Sequence, residues 1–274
     1  MIIFSYISLG VSVLKLADRY SSLFQTSCEQ AVLPYHFIRK KNAFIRVVND
    51  VCQTFYIERL GRGPGTHVCR IGFCVLPLCQ KLDAETIEKG VGLYYLRKFE
   101  LSGEEELDGW RYTSTQEDAS RCANEIIRYL NQYLIPFFER ANCAERAFDE
   151  LISLEALFEA NRQLYLRLAG IEDLACAGVG FSVLDGTKCD MALKNGNYAY
   201  VKMKWQALLQ QNQQAYENAK SFLSERLLSE RMDRIQRLEN ELSLLAAEKF
   251  SYFQQLIEEN ESYSRQQLKR YISE

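Results

Sequence analysis

The sequence predicts an α+β fold: a small antiparallel β-meander with flanking helices, followed by an α-helical C-terminal region with long helices. Three observations carry this. The apolar period is helical before position 34, drops to two between 43 and 76, and returns to helical after 114. Glycine and proline cluster in the first two thirds, and none occurs after Gly196. Hydrophobic residues make up 47% of the 274 residues and charged residues 25%, a composition able to bury a core.

Residues 8–32 read as an amphipathic helix. Leu9, Val13, Leu16, Tyr20, Leu23 and Ser27 recur at three- and four-residue spacing, and Pro34 ends the run. Residues 43–48 (AFIRVV), 51–58 (VCQTFYIE) and 67–76 then alternate as strands, rich in β-branched and aromatic types. Asn49-Asp50 suits a two-residue hairpin turn, because both types tolerate positive φ. GRGPG at 61–65 suits a looser one. Residues 93–100 supply a fourth strand and Trp110–Tyr112 a short fifth. Ser114 and Thr115, followed by Glu117 and Asp118, form a capping box for a helix to about 140, which Pro136 kinks in its last turn. One or two helices occupy 144–169, and the glycine-containing stretch 170–186 suits a connector. CDMALKNGNYAYVKMKWQALL at 189–209 reads as a helical hairpin turning at Asn195-Gly196, and 197–272 as one or two long helices. Leu238, Leu242, Leu245, Lys249, Tyr252, Leu256 and Tyr263 follow a loose heptad, with a three-residue slip before it at Leu228, Met232 and Ile235. The domain division expected is 1–142 for the α+β part and 143–274 for the helical part. A homodimer through the C-terminal helix is the sharper reading of the heptad, packing within the chain the plainer one.

Net charge is −3, so the whole molecule has no pull toward polyanions. The N-terminal apolar stretch is too short and too broken by serine to span a bilayer or serve as a signal peptide. A cytoplasmic location and no membrane partner follow as expectations. Nine scattered cysteines, an odd number without any C-x-x-C, suit free thiols in a reducing compartment. HVCRIGFCVLPLC at 67–79 tests this most directly. Strand alternation points Cys69 and Cys74 to opposite faces, and Cys79 follows Pro77. They do not converge on one ion, and only His36 and His67 are available to help. No metal and no cofactor are expected.

No catalytic residue is assigned, and the expectation is a non-enzyme. GRGPGT leads into a strand, not a helix, and lacks the Gly-Lys-Ser/Thr ending of a phosphate loop. The acids of LSGEEELDGW at 101–110 read as a solvated loop. Residues 35–75 carry seven basic and two acidic residues, a local +5, and the acidic stretch 80–120 beside them offsets it. Nucleic acid is therefore an unfavoured partner. A two-residue turn at 49–50 sets Arg46 directly across from Gln53, on a face shared with Phe44, Val48, Val51 and Phe55. A charge inside such a face must be paired, exposed or used. Candidate binding residues are Arg46, Gln53, Tyr56, Arg70 and Trp110.

The order of a helix, FIRKKNAFIRVV, DVCQTFYIERL, an opening strand, and Trp110 ahead of a capped helix ending in LIPFFE resembles the bacterial family called domain of unknown function 4304 over roughly residues 15–142. Phe37, Arg39, Lys40, Lys41 and Phe44 match that family's aromatic–basic–aromatic pattern, and Gln53 its glutamine on the next strand. The resemblance implies an α+β fold and no established activity. Similar small domains in toxin–immunity or defence settings imply another protein as partner. The leading expectation is thus a protein-interaction module. The alternatives are a small-ligand binder or enzyme using the Arg46/Gln53 face, and a single-stranded nucleic-acid binder on the basic strands.

Overall fold

A computed structural model describes residues 21–61, 66–89, 96–97, 109–113, 115–160, 179–221 and 223–272. The first helix, α1, runs Ser21–Val32 and passes into a 3₁₀ turn over Leu33–Tyr35 that contains Pro34, so the proline ends the helix as expected. Its expected start at residue 8 lies outside the described residues. The strands are β1 (Ile38–Lys40), β2 (Ala43–Val48), β3 (Val51–Gly61), β4 (Thr66–Pro77), β5 (Leu96–Arg97) and β6 (Trp110–Thr113). All pair antiparallel in the order β1-β2-β3-β4-β5, and β6 joins β4 beside β5. β1 is an addition to the reading from sequence, which assigned no strand before residue 43. Of the expected fourth strand at 93–100, Leu96–Arg97 are described as strand, and 93–95 and 98–100 lie outside the described residues, as do residues 62–65 of the GRGPG connection and the acidic stretch 101–108.

Helix α2 (Ala84–Lys89) follows β4, and α3 (Gln116–Tyr129) follows β6. Thr115 caps α3, its hydroxyl accepting from the Asp118 N–H at 3.3 Å. A π-helical turn over Leu130–Leu134 leads into α4 (Ile135–Arg140). The irregularity thus lies one turn ahead of Pro136, which has no N–H to offer the regular ladder. The remaining helices are α5 (Ala144–Ala160), α6 (Val179–Lys194), α7 (Tyr198–Ala219), α8 (Glu225–Ala246) and α9 (Phe250–Gln267). Two expectations change here. The stretch read as a connector is helical from Val179 onward, and Gly186 lies inside α6. The region after 197 is three helices, not one or two. The hairpin turn at Asn195-Gly196 stands, with Gly196 at φ 71° and Asn197 capping α7.

The sheet is covered on both faces. Phe44, Phe55, Phe73 and Trp110 on one face meet α1, α3, α4 and α5. Ile45, Val47, Cys52 and Cys74 on the other meet α2 and the segment Leu268–Tyr271 that follows α9. A third cluster joins Ala192, Val201, Leu245 and Phe253 across α6, α7, α8 and α9. The C-terminal helices therefore pack back on the sheet. Ser264 accepts from the Leu82 N–H at 2.9 Å and donates to the Gln80 carbonyl at 3.0 Å, and Tyr271 donates to Glu88 at 2.6 Å.

The two-residue turn at Asn49-Asp50 connects these layers. Asp50 accepts from the Ala144 N–H at 2.9 Å, capping α5, and its other oxygen lies 3.2 Å from the Lys194 ammonium. Lys194 also pairs with Glu261 of α9, and Arg265 of α9 donates to the Asn49 carbonyl at 2.8 Å. Asp50→Ala removes the cap and one ionic partner together, so a loss of about 2–3 kcal/mol in a urea titration is expected. Asp50→Asn, which keeps an acceptor for Ala144, should lose less.

Candidate functional site

The register pairs Arg46 with Gln53, as the turn length requires. Both are buried, Arg46 at 6% exposure and Gln53 at 0%. The Arg46 Nε donates to Gln53 Oε1 at 2.6 Å, Nη1 to the Tyr35 carbonyl at 3.0 Å, and Nη2 to Glu139 at 2.6 Å. The guanidinium sits 4.8 Å from the centre of the Phe37 ring. Gln53 Nε2 donates to the carbonyls of Phe138 and Ala141 at 2.6 and 3.0 Å. Those carbonyls lie at the end of α4, where the helix itself supplies no donors. The pair is thus a polar strut between sheet and helix layer. It is not the rim of a half-solvated sheet, because α4 covers it.

The five candidate binding residues do not converge. Tyr56 and Arg70 occupy alternate register positions to Gln53, so they lie on the opposite face, where Tyr56 packs against the layer that holds Ile87 and Leu268. Trp110 shares the face of Arg46 but pairs with Cys69, six residues along β4 from the partner of Gln53, about 20 Å away at strand spacing. Trp110 is buried, its ring edge-on to Tyr129 with centroids 5.4 Å apart. A shared groove for Arg46, Gln53 and Arg70 is therefore not formed. The basic stretch 35–75 likewise gives no single face. Arg46 is interior, Arg39 pairs with Glu29 at 2.8 Å, and Arg70 points the other way.

Cys69 and Cys74 do lie on opposite faces, one in each core, and Cys79 follows Pro77 with its thiol donating to the Asp190 carbonyl at 3.4 Å. The eight described cysteines are free. Burial pushes the thiols of Cys28, Cys52, Cys79, Cys122 and Cys189 up to about 12, which keeps them protonated and poor nucleophiles. His67 is buried against Tyr112, centroids 5.2 Å apart, not exposed at a strand start. Among the described residues no group of His, Cys, Asp and Glu is placed to hold a metal ion. None of the described helices is long and apolar enough to cross a membrane.

Two charge clusters escaped the reading from sequence. Lys188, fully buried, places its ammonium 2.7 Å from Glu155 of α5 and 2.8 Å from Asp185, one turn away on α6. Lys204 of α7 lies 3.2 Å from the same Asp185 and 3.8 Å from Glu155, with its ammonium over the Tyr200 ring. Two lysines and two carboxylates thus bridge three helices, α5, α6 and α7, through ion pairs. Asp190 lies two residues beyond Lys188 on α6. Burial first, and then Glu241 on α8, push its carboxyl up to about 7. Neither cluster has a motif: the Asp185–Lys188 pair is local, but Glu155 lies 33 positions from Lys188 and Glu241 51 positions from Asp190, beyond the reach of local spacing. Comparison of the chain with protein-family models, curated proteins and solved structures finds no match.

Two outcomes follow. Arg46→Ala and Gln53→Ala should each cost about 2–4 kcal/mol in denaturant unfolding, and the double variant less than their sum, because both single variants break the same Arg46–Gln53 hydrogen bond. Asp190 has a raised folded-state pKa, so the folded protein holds that proton more tightly than the unfolded chain, whose ordinary value is 3.8. The resulting penalty is absent below the unfolded value, grows as pH rises, and is complete above about 7. Asp190→Asn should therefore be neutral at acid pH and stabilising by about 4 kcal/mol at alkaline pH, read as the difference between two unfolding series.

Proposed function

We propose that the chain is a non-enzymatic protein-interaction module whose contact surface lies on the C-terminal helices. The observation that carries this is apolar exposure on those helices. Met203 and Leu208 on α7, and Leu227 and Met232 on α8, stand from 37% to 55% exposed. Solvated helices ordinarily keep such positions polar, and methionine adapts well to a partner's surface. The reading is further supported by the fate of the polar candidates: the hydrogen-bonding groups of Arg46 and Gln53 are engaged inside the fold. The resemblance over residues 15–142 supports an immunity or defence setting, with another protein as the natural partner class.

The test is affinity capture by the tagged full chain, with Leu208→Glu/Met232→Glu beside the parent. A stoichiometric protein retained by the parent, and reduced at least about tenfold by the double variant at unchanged Tm, is expected, since a charge in a desolvated contact costs more than 1.4 kcal/mol. A parent that retains no protein overturns the proposal. Arg46→Ala reports on the fold and serves as the stability control.

A further inference from the structure

Helices α8 and α9 are separated by Ala247, Glu248 and Lys249, and neither glycine nor proline accounts for the break. Glu248 adopts a φ of 54°, the left-handed conformation that a helix terminus usually assigns to glycine. The Glu248 and Lys249 N–H groups donate back to Leu245 and Leu244 at 3.2 and 3.1 Å, closing α8. Lys249 then stands at the N-cap of α9 and makes no side-chain capping bond there. Local chemistry thus opposes the bend on both sides of it.

The apolar pattern opposes it too. The heptad through Leu238, Leu242, Leu245, Lys249, Tyr252 and Leu256 runs without interruption across the break. In the bent chain its first half is turned inward, with Leu238 and Leu245 buried, while Tyr252 and Leu256 are 49% and 40% exposed. Beyond the bend a different stripe, Phe253, Ser264 and Leu268, faces the protein. One unbroken helix would bring Tyr252 and Leu256 into line with the leucines of α8.

Everything α9 and its terminal turn hold lies earlier in the same chain. Glu261 holds Lys194, Arg265 the Asn49 carbonyl, Ser264 the backbone at Gln80 and Leu82, and Tyr271 Glu88. Ile272 bridges Val47 in parallel. The same residues of a second copy present the same groups.

We propose that α8 and α9 fuse into one helix across Ala247–Lys249, and that α9 with its terminal turn then docks on a second copy of this chain, giving a reciprocally exchanged dimer. The contacts exchanged are those already made within one chain, so the two forms differ mainly at the hinge. There, Glu248 leaves its left-handed conformation, and Lys249, Tyr252 and Leu256 of the two copies meet about the two-fold axis. This extends the protein-binding reading by naming one partner, a second copy, and it needs no other protein.

The test uses the purified full chain alone, refolded over a range of concentrations and followed by size exclusion with light scattering. Glu248→Gly favours the bent hinge and disfavours the continuous helix, so it should weaken dimerisation about five- to thirty-fold per hinge while the monomer stays folded. Lys249→Leu places an apolar residue on the seam, at a position exposed in the bent chain, and should strengthen dimerisation. Hydrogen exchange separates exchange from surface pairing. The Phe250 and Ser251 N–H groups begin α9 in the bent chain and lack ladder partners, whereas a fused helix protects them. Parent and Lys249→Leu proteins that remain monomeric at every concentration overturn the proposal. So does a dimer insensitive to Glu248→Gly, or one with Phe250 and Ser251 unprotected. Because no other protein is present, this outcome is independent of the capture experiment.

Discussion

The carbonyl oxygens at the end of an α-helix have no helical donors, and a helix end inside a protein must find them elsewhere. At the end of α4 the donors come from the amide of Gln53, which reaches Phe138 and Ala141. The amide can do this only because its own oxygen is held by Arg46, and Arg46 is tolerated in an apolar face only because Gln53, Tyr35 and Glu139 accept from it. Each member of this set satisfies another. Around it close Phe37, Phe44, Phe55 and Phe138, with the Phe44 and Phe55 rings stacked at 4.6 Å. A polar pair thus sets where α4 sits over the sheet, which apolar contact alone does not specify.

Directional contacts also bind the C-terminal half to the sheet. The Asn49-Asp50 turn caps α5 through Ala144 and meets α6 through Lys194, while α9 holds the turn through Arg265. On the far side of the sheet, Ser264 supplies both a donor and an acceptor to the backbone that leaves β4. Leu268 and Tyr271 then complete the second apolar layer. Both faces of the sheet are consequently covered, and the hydrogen-bonding groups of Arg46 and Gln53 are engaged inside the fold.

Among the described residues, some buried charges are matched, whereas Asp190 is not. The Lys188 and Lys204 cluster pairs two cations with two carboxylates between α5, α6 and α7, so its charges are compensated where they are buried. Asp190 instead faces a second carboxylate, Glu241, which is itself pushed up by burial. Such a pair costs stability wherever both are ionised, and it makes the α6–α8 contact the pH-sensitive part of the helical layer.

Local sequence determined much of this protein. Period-two alternation located β2, β3 and β4. The Asn49-Asp50 turn then dictated that Arg46 opposes Gln53, and alternation separated Cys69 from Cys74. The Thr115 cap and the Asn195-Gly196 turn were equally legible, because capping and turn chemistry are settled within a few residues. Tertiary structure alone decided what those residues do. Whether Arg46 meets solvent or a helix depends on α4, which lies 93 positions from it at Glu139. The Lys188 cluster, the closing of the second sheet face by Tyr271, and the bend at Glu248 likewise depend on partners far along the chain or on the free energy of docking α9. At the bend the local pattern favours a straight helix, and long-range burial of Phe253, Ser264 and Leu268 overrides it. Spacing along a chain reports which face a side chain takes; what covers that face is set by distant segments, which local periodicity cannot encode.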